Sequence, residues 1–169
     1  MIFFRAATTP APLLEAPAAL WAGLLRHLRD QGGGVRESGA FLLGRKDDGM
    51  RRVTAFLPYE QLQADALNDD YVSLSADSFA KLWARCREQR LSVVADIHTH
   101  RFGPGQSLSD RTNPMVAQPG HIAFIAPNFA RGQVRPQDLG MYVYLGNHRW
   151  TVHSGPAVSR LIGFSGDAP

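Results

Sequence analysis

The chain has 169 residues, 44% of them hydrophobic and 20% charged, with a formal net charge of +3. That length and composition suit one packed globular domain over residues 1–169 and exclude a disordered chain. The 18 Lys and Arg form no basic run, and the one cysteine, Cys86, leaves no internal disulfide, so a cytoplasmic protein that binds neither nucleic acid nor membrane is expected.

The opening Met1-Ile-Phe-Phe-Arg5 has no basic segment ahead of its apolar residues, and Leu13–Leu28 is interrupted by Glu15, Pro17, Arg26 and His27. Neither a signal peptide nor a membrane span is expected there. Ile2–Arg5 reads as a short edge strand before a turn around Pro10 and Pro12. A helix follows from about Pro17, with Leu20, Trp21, Leu24, Leu25 and Leu28 at helical spacing and Gly32-Gly-Gly34 ending it. Ala40–Arg45 and Arg51–Pro58 read as a hairpin closed by Asp48-Gly49. Tyr59–Leu74 is polar and aperiodic, which predicts a long loop of the kind that often carries function.

Ser75 should cap a helix whose Phe79, Leu82, Trp83 and Cys86 form an inward face, making Cys86 an inert core thiol. Leu91–Ile97 is short, apolar and β-branched, and predicts a buried strand. Beyond it, a short helix is expected over Asp110–Ala117, limited by Pro114, then a buried strand His121–Ala126 and a loop Pro127–Leu139. Met141–Leu145 and Arg149–His153 form a terminal hairpin, and the tail from Gly163 to Pro169 should fray.

The chemistry concentrates at the end of the Leu91–Ile97 strand. Strand alternation puts Val93, Ala95 and Ile97 on one face and Asp96, His98 and His100 on the other. Two imidazoles on one face, roughly 6.5 Å apart along the strand, can converge on one ion. The turn Phe102-Gly-Pro-Gly105 and the segment Ser107-Leu-Ser-Asp110 can then fold a carboxylate back beside them. Two His and one carboxylate suit a catalytic Zn²⁺, because three protein ligands leave a position for water. Asp96 is a second candidate for the third ligand, ranked first as an outer hydrogen-bond acceptor for the ligating imidazoles. His121, His148 and His153 each stand alone and read as structural or surface histidines.

Upstream, Arg36-Glu-Ser-Gly-Ala-Phe-Leu-Leu-Gly-Arg45 joins a glutamate to an apolar strand. Together with His98-x-His100 and Ser107-x-x-Asp110 it resembles the JAB/MPN (JAMM) metalloprotease family, whose pattern is Glu-x-x-Gly-x-Leu-x-Gly, His-x-His and Ser-x-x-Asp. The resemblance covers roughly residues 1 to 154 and is nearest to the prokaryotic JAB proteins found beside bacterial ubiquitin-like conjugation components. The chain departs from the pattern at Ala40, where glycine is usual, at Arg101, where proline is usual, and in having one residue fewer between His100 and Ser107.

The resemblance implies an α/β (α+β) fold, JAB/MPN-like, with a cytidine-deaminase-like mixed central sheet flanked by helices. It further implies Zn²⁺ on His98, His100 and Asp110, with Glu37 passing a proton from water to the leaving amine. Ser107, or Ser109 in its stead, would stabilise the oxyanion; Ser107 preserves the Ser-x-x-Asp spacing. The implied activity is that of a zinc-dependent isopeptidase or peptidase acting after the C-terminal tail of a ubiquitin-like protein. The implied partners are that protein, its conjugates, and E1- and E2-like conjugation proteins. An insertion near Tyr59–Leu74 lies along the substrate groove in this family, so Tyr71 and Leu74 are expected to touch substrate. The rivals are a non-catalytic JAB-like scaffold and a cupin-type metal protein, though the cupin motif wants a Glu where Pro104 and Gly105 stand. An amidohydrolase barrel also opens on His-x-His, but at about 250 residues it is too large for this chain.

Overall fold

The computed structural model describes residues 11–166, so the expected strand Ile2–Arg5 lies outside the described residues. The described chain opens on β1 (Leu14–Pro17), which the proline-rich reading did not anticipate. Pro17, with its φ fixed near −60°, leads directly into α1 (Ala18–Gly32). Trp21, Leu24 and Leu28 bury the inward stripe of α1, and Gly33 ends the helix at φ 57°, a left-handed conformation that costs a glycine little. β2 (Gly39–Asp47) and β3 (Met50–Pro58) form the expected hairpin, with positive φ at both Asp48 and Gly49 as a tight primed turn requires.

Tyr59–Leu74 is not a bare loop. It begins with a single turn, α2 (Tyr59–Leu62), and buries Tyr59, Leu62, Ala66 and Leu67. Leu67 bridges to Val72, and the Ser73 N–H donates to the Ala66 carbonyl, so the segment doubles back on itself. The four anchors stand at i, i+3, i+7 and i+8, a helical spacing that the surrounding polar residues obscured, although the helix itself stops at Leu62.

Ser75 caps α3 (Ala76–Gln89), accepting from the Ser78 N–H. Leu82 and Cys86 face the sheet with Phe79 packed beside them, but Trp83 is 39% exposed. The inward stripe is therefore narrower than expected, and Trp83 falls on its shoulder. β4 (Ser92–Thr99) follows, then α4 (Leu108–Thr112), which starts two residues earlier than expected and stops before Pro114. The remaining elements are β5 (Ile122–Ala126), β6 (Gly140–Gly146), β7 (Arg149–His153), α5 (Pro156–Leu161) and β8 (Ile162–Ser165). Gly163–Ser165 are not frayed: β8 pairs in parallel with β1 from Leu14↔Ile162 to Pro17↔Ser165.

All eight strands make one mixed sheet in the order β7-β6-β5-β4-β2-β3-β1-β8, parallel at β4–β5, β1–β3 and β1–β8 and antiparallel elsewhere. Helix α1 covers one face over Leu42, Ala95, Ile97 and Phe124, whereas α2 and α3 cover the other over Phe41, Leu43 and Val93. Helices on both faces of a mixed sheet make an α+β architecture and rule out the all-β barrel of a cupin. Val93 corrects the expected alternation. The β2–β4 register slips between Leu42↔Ala95 and Leu43↔Val93, leaving Val94 as an extra residue that joins Ala95 and Ile97 while Val93 turns to the opposite core. No helix among the described residues is long and apolar enough to cross a membrane.

Candidate metal centre

His98 and His100 stand at the C-terminal end of β4, beside its parallel neighbour β5, the end of a sheet where ligands commonly collect. The chain beyond β5 secures this end. The His100 N–H donates to the Ala126 carbonyl, the His100 carbonyl accepts from the Phe129 N–H, and the Phe102 carbonyl accepts from the Asn128 N–H. Opposite His98 in the β2 register is Gly39. A Cβ there would collide with the Tyr59 ring, so only glycine lets that ring lie against the strand.

After His100 the turn is held from outside by Tyr142, whose hydroxyl donates to the Pro104 carbonyl at 2.6 Å. Ser107 then caps α4 in a reciprocal box: its side chain accepts from the Asp110 N–H at 3.1 Å, and the Asp110 carboxylate accepts from the Ser107 N–H at 2.6 Å. The box fixes the carboxylate against the imidazoles. Asp110 Oδ1 lies 3.3 Å from His98 Nε2, Asp110 Oδ2 lies 3.3 Å from His100 Nε2, and the two Nε2 atoms are 3.0 Å apart.

These separations can be compared with a metal's requirements. Ligand atoms ~2.0–2.1 Å from a tetrahedral zinc are ~3.3 Å from one another. The three donor residues fall at or close to that spacing, so they fit the ion. A second carboxylate competes for the third position: Glu37 brings an oxygen within 4.8 Å of both imidazole nitrogens, and its Oε1 is 3.9 Å from His100 Nε2. Asp110 is the closer donor and touches both histidines, which leaves Glu37 beside the triangle. Glu37 is buried, and its own N–H donates to the Asn68 carbonyl, tying it to the Tyr59–Leu74 segment.

Burial raises the Glu37 carboxyl above the ordinary carboxylate range; His98 and His100 pull it down in part, and Asp110 and Asp70 push it further up. Burial opposes protonation of His98, but the hydrogen bond and charge of Asp110, then the charges of Asp96 and Glu37, leave its pKa raised. Asp110 would be raised by burial, yet the hydrogen bonds from His100, His98 and Ser107 hold it far below its usual range.

The site opens into a cleft of about 770 Å³. Tyr71 and Leu74 line it, and Phe79, Phe102, Met115 and Trp150 give it an apolar wall. Phe102 is 81% exposed at the rim. Ser107 and Ser109 both reach the cleft, and of the two only Ser107 is bonded to a metal-site residue. Asp96 departs from its expected role. Its oxygens are taken by His121 Nε2 at 2.5 Å and the Tyr59 hydroxyl at 3.3 Å, while His98 Nδ1 is buried without a partner. His121 is a buried structural histidine, as read from the sequence, but its pairing with Asp96 was not foreseen, because a lone histidine opening a strand carries no local signal of a partner twenty-five residues away. His148 and His153 lie on the β6–β7 hairpin and do not line the cleft.

No family model matches the chain. Among solved structures, the chain is similar to the solution structure of a protein from Desulfitobacterium hafniense, at 16% identity and a TM-score of 0.64 over 91% of this chain and 94% of that one. It is also similar to the solution structure of a protein from Salinibacter ruber, at 21% identity and a TM-score of 0.53 over 83% of this chain and 87% of that one. At these identities the likeness is one of fold alone, a mixed sheet with flanking helices.

Proposed function

We propose that the chain is a zinc-dependent isopeptidase or peptidase of the JAB/MPN type that cleaves after the C-terminal tail of a ubiquitin-like protein. One observation carries the reading. Glu37, His98, His100 and Asp110, from three separate segments, converge in one cleft that also has an apolar wall, and the resemblance assigns a role to each of them. Glu37 and His98 are buried, His100 and Asp110 are half-buried, and the four side chains face one another.

His98, His100 and Asp110 would hold the metal, and a bound zinc supplies a Lewis acid that makes water acidic near neutral pH. Glu37, buried beside the triangle and raised above the usual carboxylate range, accepts a proton at its carboxylate and returns it to the departing amine. Ser107 holds Asp110 through the capping box and offers its hydroxyl and neighbouring amides to the developing oxyanion, a contribution of up to ~3 kcal/mol for a single donor. Tyr71, Leu74 and Phe102 line the approach for an extended peptide tail. A ubiquitin-like protein, its conjugates, and E1- and E2-like conjugation proteins are the partners this reading implies. The test is cleavage of ubiquitin-like fusions by zinc-loaded protein. Zinc binding with no cleavage of any such fusion would favour the non-catalytic scaffold.

A further inference from the structure

Beneath the proposed metal centre lies a second buried polar cluster that the mechanism above does not use. Asp96 precedes His98 by two residues on β4, so the two side chains leave the same face of the strand, and both line the cleft. The Asp96 oxygens are held from opposite sides. Oδ1 accepts from His121 Nε2 at 2.5 Å, on the residue preceding β5, and Oδ2 accepts from the Tyr59 hydroxyl at 3.3 Å, at the start of α2. All three residues are buried, Asp96 to 2% exposure. The Tyr59 ring packs on Phe41 with centroids 4.9 Å apart and lies against Gly39, the residue opposite His98.

A carboxylate in this position is costly unless it is held, and an apolar residue would fill the same space without that cost. Its placement beside the first imidazole gives the cost a purpose. After Asp110, Asp96 is the carboxylate whose charge His98 feels most. That charge favours any cation at the imidazoles. The bonds to His121 and Tyr59 also fix the side of β4 from which His98 projects.

We propose that His121 and Asp96 form a buried positioning pair for the metal centre: His121 holds the Asp96 carboxylate, and Asp96 steadies and electrostatically favours the ion at His98 and His100. This rests on reading His98, His100 and Asp110 as metal ligands, and neither Asp96 nor His121 is itself a ligand.

The experiment measures Zn²⁺ affinity by chelator competition, the visible spectrum of the Co²⁺ form, and the Tm of the metal-free protein. It does so for the wild type, Asp96→Asn, His121→Leu, His121→Gln and the double variant Asp96→Asn/His121→Leu. Asp96→Asn and His121→Leu should each weaken Zn²⁺ binding several-fold, up to about 10-fold, the low end of what loss of a group hydrogen-bonded to a ligand brings, because Asp96 acts on His98 without bonding to it. The double variant should lose no more than the poorer single variant, because the two residues act as one unit. His121→Gln keeps an N–H for Asp96 and should recover most of the loss seen with leucine. Co²⁺ spectra should keep their shape at saturation, since the ligands are unchanged. Wild-type affinity in Asp96→Asn would overturn the inference, as would additive losses, no rescue by glutamine, or losses that simply follow the metal-free Tm. A wild type that binds no Zn²⁺ would instead overturn the metal centre itself and the pair with it.

Discussion

The two faces of β4 are made from adjacent residues and do opposite work. On the α1 face, Ala95 and Ile97 are fully buried among Trp21, Leu42 and Phe124. On the other face, Asp96 and His98 are almost as buried, yet both are polar and both look into the cleft. Strand alternation lets one eight-residue segment carry stability on one side and, in the proposed function, chemistry on the other, with the backbone as the only shared part. Substitutions on one face should therefore leave the other face's property standing.

The largest effect should come from the ligands. His98→Ala and His100→Ala should each reduce zinc from about one per chain to background by elemental analysis, because two remaining donors do not hold the ion. The metal-free Tm should change little. Full zinc occupancy in both variants would mean that the site is elsewhere.

On the opposite face, Ile97→Ala should destabilise the protein by about 2–5 kcal/mol in denaturant unfolding, the usual range for emptying a buried aliphatic site. The zinc affinity of the fraction that remains folded should stay within about threefold of wild type. If Ile97→Ala loses zinc as His98→Ala does, the division between the faces does not exist.

Proton linkage sharpens the same contrast. His98 is raised above its ordinary 6.5, so its contribution to metal-free stability is present below pH 6.5 and is lost as pH rises through the folded value. Glu37, raised above 4.5 mainly by burial, acts in the same direction, because its charged form is penalised in the fold. Asp110 is lowered from 3.8, so its contribution is present above that pH and is lost as pH falls below it. Metal-free protein should therefore lose stability as pH rises, from about pH 4.5 upward through Glu37 and from about pH 6.5 upward through His98. Zinc needs the unprotonated imidazole, so its affinity should rise with pH in that range by up to about tenfold per unit. Calorimetric zinc titrations at several pH values would detect this, and a flat profile would argue against His98 as a ligand.

Ser107→Ala gives the smallest expected effect. Loss of the cap should cost about 1 kcal/mol and loosen Asp110, giving a modest fall in zinc affinity that Ser109→Ala does not reproduce. Equal effects from the two serines would remove the capping box from the site's construction.

What the sequence made legible was local. Asp48-Gly49 dictated its turn because both residues tolerate positive φ, and Ser75 announced α3 because its side chain can accept from the first turn. His98-x-His100 and Ser107-x-x-Asp110 were visible because their members lie within thirteen residues. Contacts made over long separations were not visible. The β1–β8 pairing joins residues about 150 positions apart, in strands too short to show a pattern. The Val94 bulge depends on the register of β2, which β4 does not encode by itself. His121 finds Asp96 only because β5 runs parallel beside β4.

The central claim is that Glu37 moves a proton and does not hold the metal. Glu37→Gln keeps the shape of the side chain and removes the basic oxygen. Zinc content, affinity for an uncleaved ubiquitin-like fusion and single-turnover cleavage should be measured on wild type and Glu37→Gln prepared together. Zinc and affinity should match, while cleavage should fall by at least about 10²- to 10⁴-fold, the range for loss of a general base. Equal cleavage rates in the two proteins, or loss of zinc with Glu37→Gln, would contradict the claim.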